Sequence, residues 1–191
     1  MTAASPFSVG RVLTRLISRT GQVIRSVYYR YIGLSWVHFG RGVVFAGPIR
    51  CPGVSGTISV GPHTILGPNL TLAVAQGGKI EIGDNVSLNQ GTILTARHRI
   101  QIGSGTRIGD NTSIRDSDHA VVSGHPIRSS GYEGDQVLIG ANVWIGRQVT
   151  IMPGITIGDD SVIGAHSLVT HSIPPRVVAY GTPARIQRSR P

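Results

Sequence analysis

The chain has 191 residues, a formal net charge of +9, 26 glycines and only 5% aromatic residues. That length allows one substantial core with an appendage, and the composition suits tight corners and thin aliphatic layers better than a sandwich or a helical bundle. A single cysteine, Cys51, excludes an internal disulfide and a cysteine zinc cluster and fits a reducing compartment, and no apolar run is long enough to cross a membrane.

The charge is unevenly spread: the first acidic residue is Glu81, so the first eighty residues are purely basic. A basic balance fits a phosphate-bearing cofactor, an anionic lipid surface or nucleic acid. No nucleic-acid-binding motif is present and no aromatics interleave with the charge, so no nucleic-acid partner is expected.

Residues 8–31 place Val9, Val12, Leu13, Leu16, Ile17, Val23, Ile24, Val27, Tyr28 and Tyr31 at helical spacing, with Arg11, Arg15, Arg19 and Arg25 between them. These arginines argue against a signal peptide and predict a basic amphipathic helix, making residues 1–32 an N-terminal arm. Two roles fit such a helix: capping the solenoid or a neighbouring subunit, and peripheral contact with an anionic membrane. The expected location is the cytoplasm, with the inner face of the membrane as the site of any such contact.

After an irregular stretch over residues 33–56, a period of six sets in at Val60: VGPHTI, LGPNLT, a looser run from Leu72 to Glu81, then IGDNVS, LNQGTI and LTARHR. Two residues, Ile100 and Gln101, precede IGSGTR, IGDNTS and IRDSDH. Residues 120–138 interrupt the pattern, which resumes as IGANVW, IGRQVT, IMPGIT, IGDDSV, IGAHSL and VTHSIP. Neither a helix, with period 3.6, nor a strand, with period 2, repeats every six residues. A chain that turns a corner every six residues does, with the first residue of each block pointing inward. Eighteen residues then close one triangular coil, and stacked coils bury a continuous aliphatic column. Residues 33–174 therefore read as an all-β parallel β-helix of about four full coils plus an imperfect opening one. Residues 120–138 form an extruded loop of the kind that covers a site, and residues 175–191 a C-terminal cap or tail.

IGDNTSIRDSDH, NVWIG, PGITIGDDSVIGA and IPPRVVAYGTPAR together resemble the hexapeptide-repeat acyltransferases, which fold as a left-handed parallel β-helix. Over residues 106–188 the chain is similar to the galactoside, maltose and nodulation O-acetyltransferases and to those of capsule and lipopolysaccharide clusters. The resemblance implies acetyl-CoA as acyl donor, a sugar, glycan or glycolipid precursor as acceptor, and a homotrimer with active sites between adjacent solenoids. It implies His119, at the sixth place of the hexad before the loop, as general base. Trp144 would border the acetyl and pantetheine end, backbone groups of Ala165 and Thr170 would meet the pantetheine amides, and Arg185 and Arg188 would lie near the phosphates. Arg147 replaces a smaller polar residue of the sugar enzymes and reads as a further phosphate contact or a narrowing of the groove.

Transfer from a thioester to a hydroxyl needs a base, an oxyanion donor and alignment, with no covalent intermediate. An imidazole titrating near neutrality suits the base, and Asp116 or Asp118 would fix its tautomer. His125, in the pair His125-Pro126, is the rival base and otherwise a loop residue near the acceptor. Asn89 and Arg97 belong to the coil beneath. Arg97 stands where the galactoside enzymes offer an acid, which leaves room for a larger or anionic glycan. The histidines lack tight metal-ligand spacing, so no metal is expected. The reading is an acetyl-CoA-dependent O-acetyltransferase. The alternatives are N-acetylation of an amino-sugar nucleotide, acetylation of an antibiotic, and a non-catalytic solenoid scaffold.

Overall fold

The computed structural model describes residues 20–52 and 55–191. Residues 20–28 are α-helical and run into a π-helical turn, Tyr29–Gly33; the earlier part of the expected helix lies outside the described residues. One edge of this helix is seated on the solenoid. The ring of Tyr29 lies 5.1 Å from that of Phe45, its hydroxyl accepts from the Ile49 amide at 3.2 Å, and Arg25 Nε donates to the Phe45 carbonyl at 3.4 Å. The helix thus closes the first coil, while Val23, Ile24, Val27, Tyr31 and Ile32 remain exposed.

Six coils follow, each giving one strand to each of three parallel sheets. The first sheet holds His38–Phe39, Thr57–Val60, Lys79–Ile82, Arg99–Ile102, Val137–Ile139 and Thr156–Ile157. The second holds Val44–Phe45, Ile65–Leu66, Ser87–Leu88, Arg107–Ile108, Trp144–Ile145 and Val162–Ile163. The third holds Ile49–Arg50, Leu70–Val74, Ile93–Ala96, Ser113–Arg115, Thr150–Ile151 and Leu168–Val169. Six coils exceed the count read from the hexads, because stretches that break the six-residue frame are coils too. The looser run from Leu72 to Glu81 is two strands joined by a longer turn, and Ile100 and Gln101 pair with Ile80 and Glu81 inside the first sheet.

The hexad has a physical division of labour. First positions point inward: Ile139, Ile145, Ile151, Ile157, Ile163 and Val169 are at most 2% exposed. Apart from the exposed His98 and Asp118, the fifth positions of the hexads are buried or nearly so, and where they are threonine they serve the next coil. Thr106 and Thr112 donate to the carbonyls of Gly140 and Gly146 at 2.9 and 3.0 Å and accept from the amides of Val143 and Val149. Fourth positions make the corner: Asn85, Asn111, Asn142, Gln148, Asp160 and His166 have φ between 54 and 61°, the left-handed region that short polar side chains tolerate best. The second-position glycine has a different task. A Cβ on Gly109 or Gly146 would sit 2.5 Å from the amide nitrogen of Arg147 or Ala165 in the following coil, so glycine there sets how closely coils stack.

The excursion is an antiparallel ribbon with Ser117 opposite Gly134, Asp118 opposite Glu133 and His119 opposite Tyr132, and a 3₁₀ turn at Ile127–Ser129 near its tip. It begins at Ser117, before the expected residue 120, and Val137 and Leu138 already belong to the first sheet. The hexad pattern of IRDSDH hides the departure because Asp116, an inward-facing carboxylate, fills the place of a core residue. The tail is ordered rather than loose: Val177–Gly181 adds in parallel to the second sheet and Ala184–Ser189 returns antiparallel to it.

Candidate functional site

The ribbon leaves the solenoid at the edge where the third sheet turns into the first. In the coil beneath, the strand Ile93–Ala96 ends at the corner Arg97-His98, directly under Asp116. Asp116 has no exposed surface, and its two carboxylate oxygens accept from the backbone amides of Arg97 at 2.8 Å and His98 at 2.7 Å. A buried carboxylate held by two amides fixes that corner firmly. The corner in turn aims the Arg97 side chain outward, where its guanidinium carbon lies 3.2 Å from the centre of the Tyr132 ring. On the same ring stacks His119, with centroids 4.5 Å apart and planes inclined by 31°.

His119 is exposed, and among the described residues the Tyr132 ring is the contact that holds its imidazole. This corrects the expectation that Asp116 or Asp118 fixes the His119 tautomer. Asp116 uses both oxygens on Arg97 and His98, and Asp118 points to the other face of the ribbon, where its neighbour is Glu133. Arg97 is likewise drawn to Tyr132 rather than left free to meet an acceptor. Tyr132 is absent from the sequence-predicted site residues; its one signal was that no other Phe, Trp or Tyr occurs between residues 120 and 138. His125 sits near the ribbon's tip, exposed, with Nδ1 3.1 Å from the Ser123 carbonyl, and is not brought to His119.

The residues expected along the coenzyme fall on other parts of the solenoid. Trp144 is 59% exposed on the outer face of the second sheet. Its row continues through Val162 and Val178 to Arg188, three strand spacings and about 14 Å away. Arg147 and Ala165 occupy successive corners between the second and third sheets, where the His166 amide donates to the Arg147 carbonyl at 3.0 Å. Asn89 lies at this type of corner in the third coil, exposed, with Oδ1 3.5 Å from Ser87 Oγ. Thr170 is at the third-to-first edge of the last coil, its hydroxyl 2.9 Å from His171 Nδ1. His171 and Arg185 line a hollow of about 330 Å³ there with Ser172, Ile173, Ala184 and Ile186.

The second sheet is the side of the triangle opposite the edge that carries His119. Trp144 and His119 of one chain therefore face away from each other. Among the described residues no three His, Cys, Asp or Glu side chains cluster closely enough to hold a metal ion. Cys51 is half-buried, and burial pushes its thiol up to about 11, the opposite of an activated nucleophile.

The profile of the bacterial transferase hexapeptide (six repeats) family matches residues 136–171. Galactoside O-acetyltransferase of Escherichia coli K12 is 42% identical over 113 residues, covering 59% of this chain and 55% of that protein. WbbJ of Escherichia coli K12, named for O-acetyl transfer in lipopolysaccharide biosynthesis, is 34% identical over 139 residues, covering 69% of this chain and 71% of its own. A hexapeptide-repeat acetyltransferase of Vibrio cholerae, solved in complex with acetyl coenzyme A, superposes with a TM-score of 0.63 at 26% identity, covering 88% of this chain and 78% of that one. The chain spans about half the length of the first curated relatives it matches.

Proposed function

The chain belongs to the hexapeptide-repeat acetyltransferases, and from that membership we propose that it transfers acetyl from acetyl-CoA to a hydroxyl of a sugar, glycan or glycolipid precursor, with His119 as general base. The observation that carries the proposal is the exposed His119 imidazole, stacked on Tyr132 with both ring nitrogens free of hydrogen bonds among the described residues, at the foot of a ribbon that interrupts an otherwise regular solenoid. In the proposed step the acceptor oxygen attacks the thioester carbonyl as His119 takes its proton. The tetrahedral intermediate then collapses with cleavage of the C–S bond, and the imidazolium returns a proton to the departing thiolate. Trp144, Arg147, Ala165, Thr170, Arg185 and Arg188 are the proposed coenzyme contacts.

Because Trp144 and His119 face away from each other within one chain, the reading requires a second copy to bring its second sheet against the first chain's ribbon. A homotrimer satisfies this for all three sites at once. The test is to follow acetyl-CoA consumption against a panel of sugars and nucleotide sugars and to locate the new acetyl group by NMR. An O-acetyl ester supports the proposal. An amide product overturns O-transfer, and failure to bind acetyl-CoA by calorimetry overturns the enzyme reading in favour of a scaffold.

For the N-terminal helix we infer contact with an anionic lipid surface. Val23, Ile24, Tyr31 and Ile32 are each more than 60% exposed on a helix already anchored through Tyr29 and Arg25. No carboxylate occurs in the first eighty residues to repel acidic headgroups. Among the described residues no helix is long and apolar enough to cross a membrane, so the contact would lie along the surface.

A further inference from the structure

Tyr132 is unaccounted for by the chemistry above, yet it is the residue on which two candidate site groups converge. It sits directly opposite His119 in the ribbon, its ring 4.5 Å from the imidazole, and it carries the Arg97 guanidinium 3.2 Å from its centre. The corner that carries Arg97 is itself set by the backbone amides of Arg97 and His98, which donate to the two carboxylate oxygens of Asp116, a side chain with no exposed surface. We propose that Tyr132 is a positioning residue for His119, clamped by Arg97, so that a chain of contacts from the buried Asp116 through Arg97 and Tyr132 fixes the aim of the base. This deepens the acetyltransferase reading and rests on it.

The physical need is plain. A ring on an exposed two-stranded ribbon, with no hydrogen bond to fix it, would sample several rotamers, and a base must meet the acceptor proton at one geometry. Stacking restricts the imidazole without occupying either nitrogen, leaving one to accept the proton. A guanidinium on the aromatic face holds the ring through the cation–π attraction and links the ribbon to the coil beneath it. The specific contribution of the tyrosine is its ring rather than its hydroxyl.

The experiment compares Tyr132→Phe, Tyr132→Ala and Arg97→Ala with the unaltered chain by two readouts. The first is the His119 ring resonance in NMR, which a stacked tyrosine shifts upfield whether or not the protein is active. The second is steady-state transfer, with kcat and the KM values for acetyl-CoA and acceptor measured separately. Tyr132→Ala is expected to move the resonance downfield and to lower kcat by about ten- to a hundredfold, the cost of a mis-aimed group, with both KM values little changed. Tyr132→Phe restores both, and Arg97→Ala gives a smaller effect in the same direction. A His119 resonance unmoved in Tyr132→Ala overturns the proposal. So does a loss confined to the acceptor KM, which would make Tyr132 a sugar platform. Absence of transfer in the unaltered protein would overturn the acetyltransferase reading instead, while the resonance alone still decides whether the clamp exists.

Discussion

Replacing Asp116 tests how the site is built. Its carboxylate is wholly buried and accepts two backbone amides, at 2.8 and 2.7 Å, from the corner Arg97-His98. Asp116→Ala leaves both amides without their acceptor, at about 1.5–3 kcal/mol for each bond to a charged group, partly offset by no longer burying the charge. The net loss is about 2–5 kcal/mol. At about 2–4 °C per kcal/mol for a chain of this size, the melting temperature falls by roughly 5–20 °C. Asp116→Asn keeps one acceptor oxygen but turns an NH2 toward the second amide, so it costs about 1–3 kcal/mol. Calorimetric melting of the three proteins at neutral pH is the assay. An Asp116→Ala protein that melts with the unaltered chain would refute the corner-fixing role. An Asp116→Asn protein with an intact melting temperature but abolished transfer would return Asp116 to direct support of His119.

Mixed oligomers of His119→Ala and Trp144→Ala chains, each inactive alone, should regain a fraction of transfer; no recovery in demonstrably mixed oligomers would contradict a site shared between copies. Sedimentation with anionic vesicles should exceed that with neutral ones and drop about tenfold in Ile24→Asp/Ile32→Asp, since each aspartate puts a charge on the apolar face; an altered oligomeric state instead would assign that face to a neighbouring chain. Burial raises the Cys51 thiol from 9.0 to about 11, so the unfolded chain releases that proton first. The associated stability is complete below pH 9 and is lost as pH rises through 11. Urea midpoints at pH 8 and above pH 10 should show this fall in the unaltered chain and a smaller one in Cys51→Ala.

The hexads made the solenoid legible because one residue in six must be aliphatic and the corners admit few residue types. What they concealed followed from the same economy. Coils with longer turns, such as the one after Val74, keep the inward alternation of Leu70, Leu72 and Val74 but lose the period, so one turn of the solenoid escaped the count. The role of glycine was legible only in part: at the second position it permits stacking, while the fourth-position corner is made by glycine at Gly91, Gly105 and Gly154 and elsewhere by asparagine, glutamine, aspartate and histidine. His166 is one of these corner residues, with a φ of 60°.

At the site, His119 stood out from its place before the excursion, but its surroundings did not. Pairing across the ribbon decides which residue faces His119, and register depends on where the ribbon begins, which the pattern of IRDSDH disguised. Tyr132 is thirteen residues away in sequence and directly opposite in space. Asp116 looked like a partner for the histidine because it is near in sequence, whereas burial commits it to the backbone beneath.

The most direct measurement is acetyl transfer by His119→Ala under conditions where acetyl-CoA still binds. A general base contributes about 10²–10⁴ in rate. The account predicts coenzyme affinity and oligomeric state like those of the unaltered chain, with kcat lower by about that factor. A His119→Ala protein that binds acetyl-CoA and transfers acetyl at an undiminished rate would contradict it.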